Sequence, residues 1–169
     1  MRLRGTSLAV LFLGAGVATA AAQSPEAQHE ETFRAMVAAV NDRALERLDA
    51  LIADDLVRHS QATPDVTVRS LDDFKEFLRS DFAMVPDSRI ECPMVAAQGD
   101  LLASWCTYEG TQQGAMGPFP PTGKRFALDF AGFMRFEGGR IAEMWVTWDN
   151  LAALSQLGHF PPPEAEAGS

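Results

Sequence analysis

"RIECPMVAAQGDLLASWCTYEG", residues 89–110, is the stretch where apolar side chains stop recurring at helical spacing and begin to alternate. Two extended runs flank Gln98-Gly99-Asp100, and that pattern predicts two strands joined by a tight turn. The period of two continues downstream. Candidate strands run about Arg89–Ala97, Leu101–Thr111, Lys124–Arg135 and Arg140–Trp148, with a second turn at Gly138-Gly139. The connection "QQGAMGPFPPTG", residues 112–123, is too rich in Gly and Pro to be a strand throughout, so it overhangs one edge of the sheet.

Upstream the spacing is helical. Phe33, Met36, Val37 and Val40 share a face, and Leu45, Leu48, Leu51 and Ile52 continue the pattern after Asn41-Asp42, which predicts two consecutive helices or one kinked helix. "SLDD", residues 70–73, reads as a capping box with Asp in place of Glu. It opens a helix with Leu71, Phe74, Phe77, Leu78 and Phe82 on its apolar face, ended by Pro86. A short last helix, Asn150 to Leu157, is stopped by Gly158. Helices followed by an antiparallel meander give an α+β fold, with the early helices covering one face of a curved sheet.

The two ends read differently from the middle. Arg2 and Arg4 precede an apolar run, Leu8 to Val17, and the small residues "ATAAAQ", the layout of a signal peptide cleaved after Ala22. Residues 1–22 are therefore expected to direct export to the periplasm or medium, 23–160 to form one domain, and 161–169 ("PPEAEAGS" preceded by Pro161) to be a disordered tail. Losing Arg2 and Arg4 leaves 12 of the 14 basic residues against 23 acidic ones, a net of −11. Such a surface repels phosphate backbones, so nucleic acid is not an expected partner, and no membrane association is expected once the signal is removed.

Cys92 and Cys106 are the only cysteines. Pairing about Gly99 would place them opposite one another, at disulfide distance in an exported protein. A one-residue change of turn would break that register and leave two buried thiols. Phosphate loops, GxSxG, HExxH and Cys/His clusters are absent from the sequence, so neither a metal nor an organic cofactor is expected.

His59, in "ADDLVRHSQATP", is the histidine placed for acid or base work, and a polar residue at a helix-to-loop junction is the alternative. Asp149 can act with it as an acid–base pair, or simply cap the helix that begins at Asn150. Asp129 and Glu143 lie on strands, facing either a pocket or water. Tyr108, the single tyrosine, can donate its hydroxyl to an oxyanion or to a backbone carbonyl.

With these elements placed, the chain resembles the SnoaL-like polyketide cyclase family of the nuclear transport factor 2-like superfamily, from about Phe33 to Gly158. The matching pieces are "FRAMVAAVNDR", "DDLVRHS", "SLDDFKEFLRSDFAMVPD", "GPFPPTGKRF" and "FMRFEGGRIAEMWVTWDNLAALSQLG". The resemblance implies a cone in which a strongly curved antiparallel sheet wraps the N-terminal helices around an apolar pocket, and a homodimer formed through the sheet. In the aromatic cyclases an aspartate on the last strand closes a polyketide ester by an aldol reaction. That position is Val146 here. A later acid matches Asp149, a histidine of the preceding strand matches Gly132, and a histidine of a "GTHxG" segment matches Gln112.

These matches imply His59 and Asp149 as catalytic residues, and Tyr108, Gln112, Met134, Val146 and Trp148 as residues that line the pocket. The first reading is a cofactor-independent cyclase, isomerase or hydrolase acting on a small apolar carbonyl compound or ester. The second is a non-catalytic periplasmic protein that binds an apolar ligand or serves as a dimeric scaffold, favoured by Val146 and Gln112 standing where polar groups would otherwise react.

Overall fold

The computed structural model describes residues 23–161. The expected signal peptide, residues 1–22, and residues 162–169 of the expected tail lie outside the described residues.

Helix α1 (Pro25–Asn41) begins at Ser24, whose hydroxyl accepts the Ala27 N–H at 3.2 Å, with Pro25 in the first turn where no N–H is needed. Helix α2 (Leu71–Met84) begins at Ser70, which accepts the Asp73 N–H at 3.1 Å. The Asp73 carboxylate reaches back to the Arg69 N–H at 2.9 Å, one residue before the cap, so the Ser70 half of the box forms as "SLDD" suggests and the return half is shifted by one residue.

Five strands follow the order β1-β5-β4-β3-β2, where β1 is Ile52–His59, β2 Arg89–Gln98, β3 Leu101–Thr111, β4 Arg125–Glu137 and β5 Arg140–Trp148. β1 runs parallel to β5, and every other pair is antiparallel. Phe33, Met36 and Val40 of α1 and Phe74 and Leu78 of α2 are buried in one cluster with Leu102, Met134, Phe136 and Met144 from the sheet. A second cluster sits at the other end of β4, where Ala153 and Leu157 of α3 (Asn150–Leu157) pack with Val85, Phe126 and Leu128. β5 ends before it can pair with Ala127, and the Gln156 side chain takes its place. It donates to the Ala127 carbonyl and accepts the Ala127 N–H, each at 3.0 Å.

The structure corrects the expected second helix. Leu45–Ala50 forms a 3-10 helix, and from Ile52 the chain extends as β1. Spacings of three suit a 3-10 turn as well as an α-helix, so the leucines alone do not separate the two. The strand itself was hidden by a bulge: Ile52 and Ala53 are both buried and Asp54 and Asp55 both exposed, so no period of two is visible in "IADDLVRH". His59 consequently ends a strand and does not sit at a helix-to-loop junction. Smaller shifts affect β4, which begins at Arg125 and runs two residues past the expected Arg135.

The β2–β3 hairpin reaches the expected cysteine pairing by another route. Its turn has two residues, Gly99 with φ +59° and Asp100, so Gln98 pairs with Leu101 and the register is one residue off a turn centred on Gly99. A bulge between Glu91 and Met94 restores it, because Glu91 pairs with Thr107. Pro93 lies inside that bulge on an edge strand, where its missing N–H costs no ladder bond. Cys92 and Cys106 are joined as a disulfide with Cα atoms 4.0 Å apart.

Candidate functional site

His59 pairs with Trp145 as the last residue of β1, whereas β5 continues to Trp148. Beyond this point the two strands separate. The chain loops out through residues 60–67 and returns to bond Arg58 N–H to the Val68 carbonyl at 3.1 Å. Asn150 at the start of α3 holds the far side of the loop through the Ala62 carbonyl, at 2.8 Å. The space between loop and sheet is a cleft of about 720 Å³. Phe133 and Trp145 line it from the outer face of the sheet and Val146 from the opposite face, and Arg58, His59 and Ser60 supply polar groups at the end of β1.

The imidazole of His59 is positioned from two sides. Its ring stacks on Trp145 with centroids 5.2 Å apart, and Nε2 lies 2.7 Å from Glu143 Oε1. Glu143 is fixed in turn by Arg135, whose Nε donates to Oε2 at 3.0 Å and whose Nη2 donates to the same oxygen. The hydrogen bonds from Arg135, and then the one from His59, hold the Glu143 carboxyl below the usual carboxylate range. The carboxylate holds Nε2 in place, and Nδ1 remains for proton exchange.

Asp149 does not join this group. Its Oδ1 accepts the Ala152 N–H at 3.0 Å as the N-cap of α3, and it faces a separate cleft of about 380 Å³ with Trp105, Trp148 and Asp129. Four residues of extended chain separate Asp149 from Trp145, the pairing partner of His59, which is roughly 13 Å at strand rise. The cap role weighed for Asp149 is the one its contacts support.

The sheet also encloses a buried polar pair. The Tyr108 hydroxyl donates to both carboxylate oxygens of Asp81 on α2, each at 3.0 Å. Burial pushes the Asp81 carboxyl up to about 6, against the lowering effects of the Tyr108 hydrogen bond and the Arg43 charge. Burial, followed by the Asp81 charge, likewise raises the Tyr108 phenol. Among the described residues no cluster of three or more His, Cys, Asp or Glu side chains is close enough to hold a metal ion.

The family profile of SnoaL-like polyketide cyclases matches residues 30–157. This chain belongs to the SnoaL-like polyketide cyclase family. Among solved structures it is similar to IdmH of Streptomyces antibioticus, described as a candidate polyketide cyclase, at 32% identity and TM-score 0.70, covering 78% of this chain and 99% of IdmH. AclR of Streptomyces galilaeus, described as a candidate hydroxylase, is similar at 27% identity and TM-score 0.70, covering 80% and 99%. A SnoaL-like protein from Jannaschia sp. CCS1 shares the fold at 18% identity and TM-score 0.73, covering 84% and 100%. No curated protein matches the chain.

As a SnoaL-like protein, the chain distributes its expected pocket residues over several places. Val146 lines the His59 cleft, and Trp148 lines the Asp149 cleft. Met134 is 3% exposed in the main core. Gln112 is fully buried as a structural bracket, donating to the Pro120 carbonyl at 3.2 Å and accepting from Thr122 at 3.0 Å, with His159 at 3.2 Å. Tyr108 is committed to Asp81. In this SnoaL-like chain the sequence pattern gives Glu143 no partner and does not mark Arg58, Ser60 or Asp81. Glu143 meets His59 across 84 positions of sequence, so no local spacing marks the pair.

Proposed function

We propose that this SnoaL-like protein is a cofactor-independent acid–base enzyme of the cyclase or isomerase type, working on a small apolar carbonyl compound in the cleft beside His59. The observation that carries this reading is the Arg135–Glu143–His59 chain ending at a cleft with an aromatic wall. His59 Nδ1 takes a proton from carbon next to a carbonyl, Glu143 holds Nε2 in place, and the same proton is returned at the end of the rearrangement. The His59 side chain is 46% exposed in the single chain, so exclusion of water would fall to a partner or ligand covering Phe133 and Trp145. Turnover of aromatic keto-esters is the test: His59→Gln should lower kcat by about 100-fold or more, the usual contribution of a positioned acid or base. Undiminished kcat in that variant would remove His59 from the chemistry.

A non-catalytic ligand carrier is the second reading, and Val146 favours it because it places a methyl-bearing side chain where the cyclases carry a carboxylate. Binding without turnover across the same panel would select it. We also infer an exported homodimer. The N-terminal pattern and the Cys92–Cys106 bridge support export. Met94, Leu101, Trp105, Phe133 and Trp145, all exposed on the outer face of the sheet, support a dimer through that face. Such a contact would cover Phe133 and Trp145 and shield the cleft. Sedimentation of the mature chain beginning at Gln23 should give the dimer mass, and a monomer at micromolar concentration would contradict it.

A further inference from the structure

Acid–base chemistry leaves one part of the His59 cleft unexplained. Arg58 is 7% exposed, lies 4.5 Å over the Phe77 ring, and makes one side-chain hydrogen bond, from Nη1 to Thr63 Oγ1 at 3.1 Å. A guanidinium has five N–H donors and tolerates burial when a carboxylate meets them. No ion pair to Arg58 occurs among the described residues, and burial alone lowers its pKa. Two residues on, the Ser60 hydroxyl is buried with no hydrogen-bond partner. Both residues line the cleft together with Arg69, and the lining contains no Asp or Glu. In a chain with 23 acidic and 14 basic residues, a cleft lined by two arginines and no acid runs against the overall charge.

We propose that the cleft binds the carboxylate of an otherwise apolar ligand, with the Arg58 guanidinium as its anchor and the Ser60 hydroxyl as a second donor. The planar fork of arginine matches two carboxylate oxygens, and one buried cation neutralises one negative charge. A phosphate monoester carries nearly two negative charges, and its second would meet only the exposed, hydrated Arg69. The apolar body of the ligand then extends from Arg58 past Val146 and the end of β1 toward Trp145 and Phe133, all of which line the cleft. This rests on the reading of the cleft as the ligand site and adds the chemical class of what enters it.

Isothermal titration calorimetry on the mature chain separates the possibilities with 2-naphthoate, methyl 2-naphthoate and 2-naphthyl phosphate as probes. The acid should bind at least about tenfold tighter than its methyl ester, as expected for a charge-assisted bond to a buried guanidinium. Arg58→Met should bring acid and ester within about twofold, and Ser60→Ala should weaken the acid about threefold while leaving the ester unchanged. Arg58→Lys, which keeps the charge and loses the fork, should keep part of the preference and carries the comparison if Arg58→Met does not fold. Equal binding of acid and ester, or a preference that survives Arg58→Met, would overturn the proposal. Tighter binding of the phosphate than of the acid would overturn the carboxylate assignment. His59→Gln should leave the acid preference intact, so loss of turnover in that variant and loss of preference in Arg58→Met report on the two readings separately.

Discussion

Two arginines lie over phenylalanine rings of α2, and their surroundings differ. Arg43 is 4.2 Å above Phe82 and donates to the carbonyls of Val40, Asn41, Pro86 and Ser88 and to the Ser88 hydroxyl, at 2.9 to 3.3 Å. Arg58 is 4.5 Å above Phe77 and donates to Thr63. Arg43 ties the end of α1 to the start of β2 and adds its charge near the buried Asp81. Its role is complete within the chain. Arg58 is more deeply buried and less satisfied, the condition expected where a ligand is to supply the missing acceptors.

Removing each arginine should break this symmetry in opposite directions. Arg43→Met should lose about 3 kcal/mol in urea unfolding, since several carbonyls lose a charged donor together. A loss under about 1 kcal/mol would mean that water replaces those bonds and that Arg43 is no better placed than Arg58.

Asp81, beside Arg43, sharpens the same contrast through pH. Its carboxyl prefers the proton in the folded chain, so its contribution to stability is fully present below the ordinary pKa of 3.8 and is lost as pH rises through about 6. The shift corresponds to about 3 kcal/mol at most. Asp81→Asn, which can still accept the Tyr108 hydroxyl, should match wild type near pH 4 and exceed it above pH 7. Equal stability of the two at both pH values would show that Asp81 is hydrated in the folded chain. The smallest effect belongs to Arg58→Met, which should leave stability unchanged or raise it by about 1 kcal/mol, because an unpaired buried charge is replaced by an apolar side chain of similar length. A loss of several kcal/mol would assign Arg58 a structural role like that of Arg43.

Much of the scaffold is legible in local sequence. β3, β5 and α3 have the bounds that alternation, turn glycines and the Asp149 cap indicate, because each is a regular element closed by a strong signal. β1 is not legible, since its bulge hides the period of two behind adjacent Asp54 and Asp55. The site is harder still. His59 is visible as a residue type, but its orienting carboxylate arrives through parallel pairing with a strand at the other end of the chain. Arg58 and Ser60 stand beside His59 in "VRHS", yet nothing local says that one guanidinium is met and another is not. That difference exists once Phe77, Thr63 and the returning Val68 have closed over β1.

The three tryptophans separate the two clefts and so give the most direct test of where ligand binds. Trp145 lines the His59 and Arg58 cleft, and Trp105 and Trp148 line the Asp149 cleft. In a ¹H–¹⁵N spectrum of the mature chain titrated with 2-naphthoate, the indole N–H signal of Trp145 should move in wild type and stay still in Arg58→Met, while those of Trp105 and Trp148 hold their positions. Movement of Trp105 and Trp148 with Trp145 unchanged would place the ligand against α3 and contradict the account.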